Sequence, residues 1–161
     1  MLVPCTVDSV RVHVLTGQHV VLLQEQGKRR LLPIWIGQDQ AHSIATRVAG
    51  ITSERPLTHD LLMEVLRTLG GRITRVVVKD LVSDAAGGGV FHGSVFVQSD
   101  RDEIEIDSRA SDAIALAVRC EAPILVAETV LDRSAIAADS DEDDEGLAVF
   151  KHFIEGLPDR H

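Results

Sequence analysis

The stretch Ile73–Arg119, ITRVVVKDLVSDAAGGGVFHGSVFVQSDRDEIEIDSRASDAIALAVR, decides how this chain folds. Its apolar residues predict strands over Ile73–Val82, Val90–Gln98 and Glu103–Asp107. Gly87-Gly88-Gly89 and Ser99-Asp100-Arg101 lie between them where turns belong, so the three make an antiparallel meander. The pattern then changes. Ser111–Arg119 reads as a short, largely buried helix, and Pro123–Ala127 after it as a core strand.

Working back toward the N-terminus, apolar residues alternate at Val10, Val12 and Val14 and cluster in Val20–Leu23 and Leu31–Ile36. With turns at Thr16-Gly17-Gln18 and Gln26-Gly27-Lys28, this predicts a second three-stranded meander. Pro33 cannot donate to a ladder and marks a strand edge or bulge. Helical spacing follows over Gln38–Ala49 and Leu57–Leu69, where Thr58 is placed to cap the helix and Leu61, Leu62, Val65, Leu66 and Leu69 form an apolar stripe. Thr129–Ala138 reads as a helix. The pattern therefore predicts an α+β fold, in which a mixed or antiparallel sheet from two meanders carries helices packed against it as a single compact domain. That domain covers residues 1–138, followed by an acidic solvated loop over 139–146 and an amphipathic C-terminal helix and tail over 147–161.

The net charge of −9, from 16 basic and 25 acidic residues, opposes a general nucleic-acid coat or an anionic membrane surface. Its distribution matters more than its sum. Residues 139–145 hold six acids, and residues 1–138 hold 14 bases against 17 acids, so the body is close to balanced. Cys5 and Cys120 form no CxxC pair, which fits a reduced, cytoplasmic protein better than a disulfide scaffold. No leader pattern and no apolar run of membrane-spanning length is present, so no membrane association is expected.

Two clusters place charged and polar residues at the start of an apolar helix: Arg55-Pro56-Leu57-Thr58-His59-Asp60 and Asp107-Ser108-Arg109-Ala110-Ser111-Asp112. Each combines an arginine, a hydroxyl and a carboxylate with helix N-terminal amides, a chemically sufficient cradle for phosphate. Facing one another, they would also supply acid and base groups, or hard oxygen ligands for a divalent cation. The same residues also read as ordinary helix caps and surface ion pairs, and the sequence leaves both readings open.

Other features carry less. The histidines show no metal-ligand spacing, His13 and His92 read as strand residues, and the triple glycine completes no phosphate-binding loop. Lys28-Arg29-Arg30 reads as a hairpin turn or a phosphate contact. Glu103, Glu105 and Asp107 share one strand face, where a cation could sit or where they simply repel. With one tryptophan, four phenylalanines and no tyrosine, a base-stacking platform lacks material.

Leu32-Pro33-Ile34-Trp35-Ile36-Gly37, Arg55-Pro56-Leu57-Thr58-His59-Asp60-Leu61 and Asp107–Ala117, with Ala122-Pro123-Ile124 after them, resemble the bifunctional nuclease family, formerly a domain of unknown function. The resemblance runs from about residue 5 to about residue 132, with the three motifs in order. It implies a compact α+β domain that self-associates as a homo-oligomer, with the dimer favoured, and nuclease activity on RNA and DNA. The family's signature positions correspond to Arg55, Pro56, Thr58, His59 and Asp60, and to Asp107, Arg109, Ser111 and Asp112. Ala110 stands where the family usually has proline; alanine suits a first helical turn, so the helix start is expected to survive.

The resulting expectation is a phosphodiesterase with nucleic acid as transient partner. Arg55, Thr58, Arg109 and Ser111 would bind phosphate and His59 would act as general acid or base. Asp60, Asp107 and Asp112 would orient it or hold Mg²⁺ or another divalent cation, with no organic cofactor. A scheme without metal, in which His59 alone moves the proton, remains alongside it. So does a non-catalytic oligomer that binds an anionic ligand at the same clusters or builds a subunit interface from them. That interface is expected at the apolar edge of the first meander or on the last helix.

Overall fold

The computed structural model describes residues 1–83, 85 and 89–138. The acidic loop and C-terminal helix expected over 139–161, and Gly87 and Gly88 of the second meander's first turn, lie outside the described residues. The elements are β1 (Leu2–Val12), β2 (His19–Glu25), β3 (Arg30–Ile36), α1 (Gln38–Val48), α2 (Thr58–Thr68), β4 (Arg72–Ser83), β5 (Gly89–Gln98), β6 (Glu103–Arg109), α3 (Ala110–Cys120), β7 (Ile124–Ala127), α4 (Glu128–Ser134) and β8 (Ile136–Ala137).

All described strands belong to one mixed sheet in the order β6-β5-β4-β7-β1-β2-β3-β8, giving the expected α+β architecture. The two meanders are its halves, and the core strand β7 joins them. It runs parallel to β4, with Ile124 opposite Val76, and antiparallel to β1, with Ile124 opposite Cys5. The middle of β4 is buried at three successive residues, Val76, Val77 and Val78, whereas β1 buries Cys5 and leaves Pro4 and Thr6 exposed. α3 lies against the sheet through Ala110, Ala113, Ile114, Ala115, Leu116 and Ala117, all buried, and the small alanines let the helix backbone approach it closely.

Several boundaries differ from the expected ones. β1 ends at Val12; His13 lies in the turn beyond it, where its Nδ1 accepts the Thr16 N–H, and Val14 is exposed. Pro33 sits within β3 at a point where only β2 is its neighbour, since β8 pairs with β3 at Arg30 and Leu31 alone. α4 stops at Ser134, and the helix expected to continue to Ala138 becomes β8 instead. The open edge of β3 offers that segment backbone hydrogen bonds, including Ala138 N–H to Arg29 O at 2.7 Å.

The basic turn is absorbed into this edge. Arg30 grips the buried Glu25 through Nε at 2.5 Å and Nη2 at 3.1 Å, and reaches Asp132 at 2.8 Å. That guanidinium holds the Glu25 carboxyl below the ordinary glutamate range. On β6, Glu103 takes Arg75 and Glu105 takes Lys79, so the cations on that face are the protein's own.

α2 differs most from expectation. Its stripe residues Leu61, Leu62, Val65 and Leu69 are exposed, and only His59 is buried. The helix stands out from the sheet with a cleft beneath it, so helical periodicity here marks a cleft wall and not a core face. Among the described residues, no helix is long and apolar enough to cross a membrane.

Candidate active site

The starts of α2 and α3 converge. Thr58, contrary to expectation, is the first helical residue of α2 and not its cap; Leu57 holds the cap position, and its backbone N–H donates to Asp60 Oδ2 at 2.9 Å. α3 begins directly from β6, with Arg109 extended at the cap position and Ala110 opening the helix as expected. Because β6 pairs with β5 through Arg109 and Ser108, the sheet itself aims this helix start.

At the meeting point, His59 Nε2 lies 2.9 Å from Asp112 Oδ1, and Arg109 Nε donates to Asp112 Oδ2 at 2.9 Å. On the far side of the imidazole, Ser43 Oγ lies 2.7 Å from His59 Nδ1. The ionised Asp112 carboxylate can only accept, so Nε2 carries a proton and donates to it, and the Ser43 hydroxyl, which can donate or accept, is the partner of Nδ1. The four side chains run inward from solvent. Arg109 is 64% exposed, Asp112 27% and His59 9%, and Ser43 is buried.

This chain of contacts forms one wall of a cleft of about 850 Å³. Asp107, Asp112, Arg109, Thr58 and His59 line its polar end, and Leu62, Val65, Leu69 and Ile106 its apolar end. Asp107 has no ion-pair or hydrogen-bond partner among the described residues.

The remaining expected residues go elsewhere. Asp60 turns away from the cleft to Arg119 Nε at 2.7 Å, and Arg119 also donates to the carbonyls of Ser43 and Ala115. Burial opposes the charged form of Asp60, but the Leu57 N–H and the Arg119 guanidinium outweigh it and hold the carboxyl below the usual aspartate range. Asp60 therefore ties α2 to α1 and α3. Arg55 is exposed before α2 and is not among the cleft's lining residues. Ser111 opens into a second cavity.

The carboxylates do not fit the expected cation site. Asp60 lies outside the cleft, and both oxygens of Asp112 already face donors. Among the described residues, no three histidine, cysteine, aspartate or glutamate side chains gather as a metal-binding group.

Sequence reasoning missed Ser43 and Arg119. Neither belongs to a cluster. The only trace of Ser43 is a polar residue beside Ile44 on the apolar face of α1, and of Arg119 a charge ending an otherwise buried helix.

The family model of the bifunctional nuclease domain matches residues 20–139. An uncharacterized protein of Mycobacterium tuberculosis (strain CDC 1551 / Oshkosh) is 35% identical over 159 residues, covering 94% of this chain and 92% of its own. Bifunctional nuclease 1 of Oryza sativa subsp. japonica is 27% identical over 107 residues, and bifunctional nuclease 1 of Arabidopsis thaliana 30%. Each of these plant matches covers 66% of this chain but only 32% of the plant protein, so the shared region is about a third of the plant chains.

Proposed function

Since this chain belongs to the bifunctional nuclease domain family, we propose that it hydrolyses phosphodiester bonds of RNA and DNA in the cleft between α2 and β6. The observation that carries this reading is the Arg109–Asp112–His59 contact chain on the cleft wall. The terminal amino groups of Arg109, free of partners among the described residues, take the phosphate, with Thr58 beside them, while Arg55 and Ser111, outside the cleft lining, would meet phosphates further along the strand. Asp112 keeps part of a carboxylate's roughly four acceptor positions and receives the proton of the attacking water. His59, behind it, donates its Nε2–H to the carboxylate and orients it. Phosphorus gains the water oxygen and loses the leaving oxygen, which takes the proton from Asp112 and departs as an alcohol, while Asp107 orients the water or the leaving oxygen.

No step is routed through Mg²⁺, because the donor set does not fit it. Cleavage that persists in EDTA is the expected result. Purified wild type is compared with His59→Ala and Asp112→Ala on labelled RNA and DNA. Loss of about 10²-fold or more in each variant supports the reading, on the scale of a positioned acid or base, and equal cleavage by all three overturns it. In that event the second reading, a non-catalytic binder of an anionic ligand, is favoured by the internal pairing of both Asp60 and Asp112.

A homo-oligomer, with the dimer favoured, belongs to the same proposal. Leu61 of α2 and Ile104 of β6 are exposed apolar residues outside the cleft lining that a second copy would bury. The edge of the first meander is less suitable, being covered in part by β8. Sedimentation of wild type and Leu61→Glu tests this, and a monomer at all concentrations overturns it. A cytoplasmic setting is supported by two free cysteines.

A further inference from the structure

We propose that a second cavity of about 470 Å³, which shares Arg109 with the cleft, is a nucleotide subsite: its aromatic wall takes a base and its polar wall the attached phosphate. The volume lies within the roughly 300–1,000 Å³ usual for small-molecule sites. The cavity joins the Trp35–Gly37 segment, which the cleft leaves without a role, to Phe91 of β5 and to Arg109, Ala110 and Ser111 at the start of α3.

Its two walls differ in chemistry. Trp35 and Phe91 present aromatic surface of the kind on which bases stack. The cavity is also lined by Arg109, Ala110 and Ser111, which bring to it a guanidinium, the first amides of α3 and a hydroxyl. Ser111 is only 8% exposed, yet its hydroxyl has no hydrogen-bond partner among the described residues, although it opens into the cavity. Trp35, on the same cavity, carries the one fully buried side-chain polar atom without a partner among the described residues, its indole N–H. Such groups are rare in folded proteins.

Charge separates the two hollows. Asp39, Asp107 and Asp112 line the cleft, whereas among the described residues none that lines the second cavity is acidic. An anion is therefore repelled less in the cavity, and Arg109 stands where a strand would pass from one to the other. The choice of a nucleotide as the aromatic anion rests on the nucleic-acid reading above.

Trp35 is the sole tryptophan, so its fluorescence reports occupancy directly. In EDTA, wild type is titrated with AMP, adenosine, inorganic phosphate and a short cleavage-resistant oligoadenylate. AMP is expected to change the emission saturably, with adenosine and inorganic phosphate each at least about tenfold weaker, as when one half of a two-part contact is removed. Ser111→Ala weakens AMP about tenfold. Phe91→Leu weakens it severalfold. Thr68→Ala, exposed on α2 and lining neither hollow, leaves it unchanged.

Tighter binding of the oligonucleotide than of AMP assigns the subsite to a strand, and the converse to free mononucleotides; both support a nucleotide site. No saturable change up to about 10 mM AMP, equal affinity for inorganic phosphate, or equal losses in Thr68→Ala and Ser111→Ala overturns it. Cleavage without AMP binding removes the subsite and leaves the nuclease reading standing. AMP binding without cleavage does the reverse.

Discussion

His59 Nε2 and Asp112 Oδ1 are 2.9 Å apart although 53 residues separate them in the chain. That contact fastens the start of α2 to the start of α3, and it does so across a cleft edge from which the body of α2 stands away. Arg109 on one side of Asp112 and Ser43 on the other side of His59 extend it into a four-residue line.

Ser43→Ala removes the partner of His59 Nδ1 while leaving the Nε2 contact intact. A stability loss of about 1–2 kcal/mol is expected from one unsatisfied buried nitrogen, read by urea denaturation. On the proposed function, kcat falls about tenfold with KM little changed, because the imidazole loses orientation and not substrate contact. An unchanged kcat would leave Ser43 a packing residue alone.

Asp60→Asn separates anchoring from chemistry. The Asp60 carboxyl is held below its ordinary value by Leu57 and Arg119, so its contribution is fully present above the unfolded value of about 4 and is lost as pH falls through the lower folded one. The variant is therefore expected to be less stable than wild type at neutral pH by about 1 kcal/mol, the scale of a lost helix cap. The gap closes on acidification. Denaturation at a series of pH values from 7 to 3 checks this, and a gap that widens toward low pH contradicts it.

Gly93→Ala probes the launch of α3 from the sheet. A Cβ at Gly93 would stand 3.2 Å from Ala110 Cα and 3.3 Å from its N, against backbone that cannot rotate away. A loss of about 1–3 kcal/mol is expected from overpacking, together with altered chemical shifts at Arg109 and Ser111. Shifts confined to β5 would mean that α3 is not seated by this contact.

Burial pushes the Cys5 thiol up to about 11, with the neighbouring Glu25 charge adding to the shift, and burial raises Cys120 as well. Neither thiol is expected to react with a disulfide reagent at pH 8 until the protein unfolds. Thiol titration with and without denaturant measures this, and rapid labelling of the native protein counts against the buried placement of Cys5.

The patterns legible in the chain marked most of the strands and helices, Ile136-Ala137 of β8 being an exception. The apolar runs Val76–Val78 and Val95–Val97 between turn residues read as strands and the alanine-rich run after Arg109 as a helix, because local spacing sets which side chains share a face. The charged starts of α2 and α3 were equally visible as clusters.

Tertiary structure alone decided which members of those clusters meet. Asp60 and Asp112 look alike in sequence, each a carboxylate three residues past a helix cap, but Arg119 claims the first and His59 the second. Ser43 and Arg119 carry only a faint local trace, since their roles exist only where α1, α2 and α3 pack together. The same holds for the apolar stripe of α2, whose spacing fixes a helix but not what covers it. Periodicity is a property of neighbours along the chain, whereas a cleft, a hydrogen-bonded line and a paired carboxylate depend on groups that only long-range packing brings within a few ångströms.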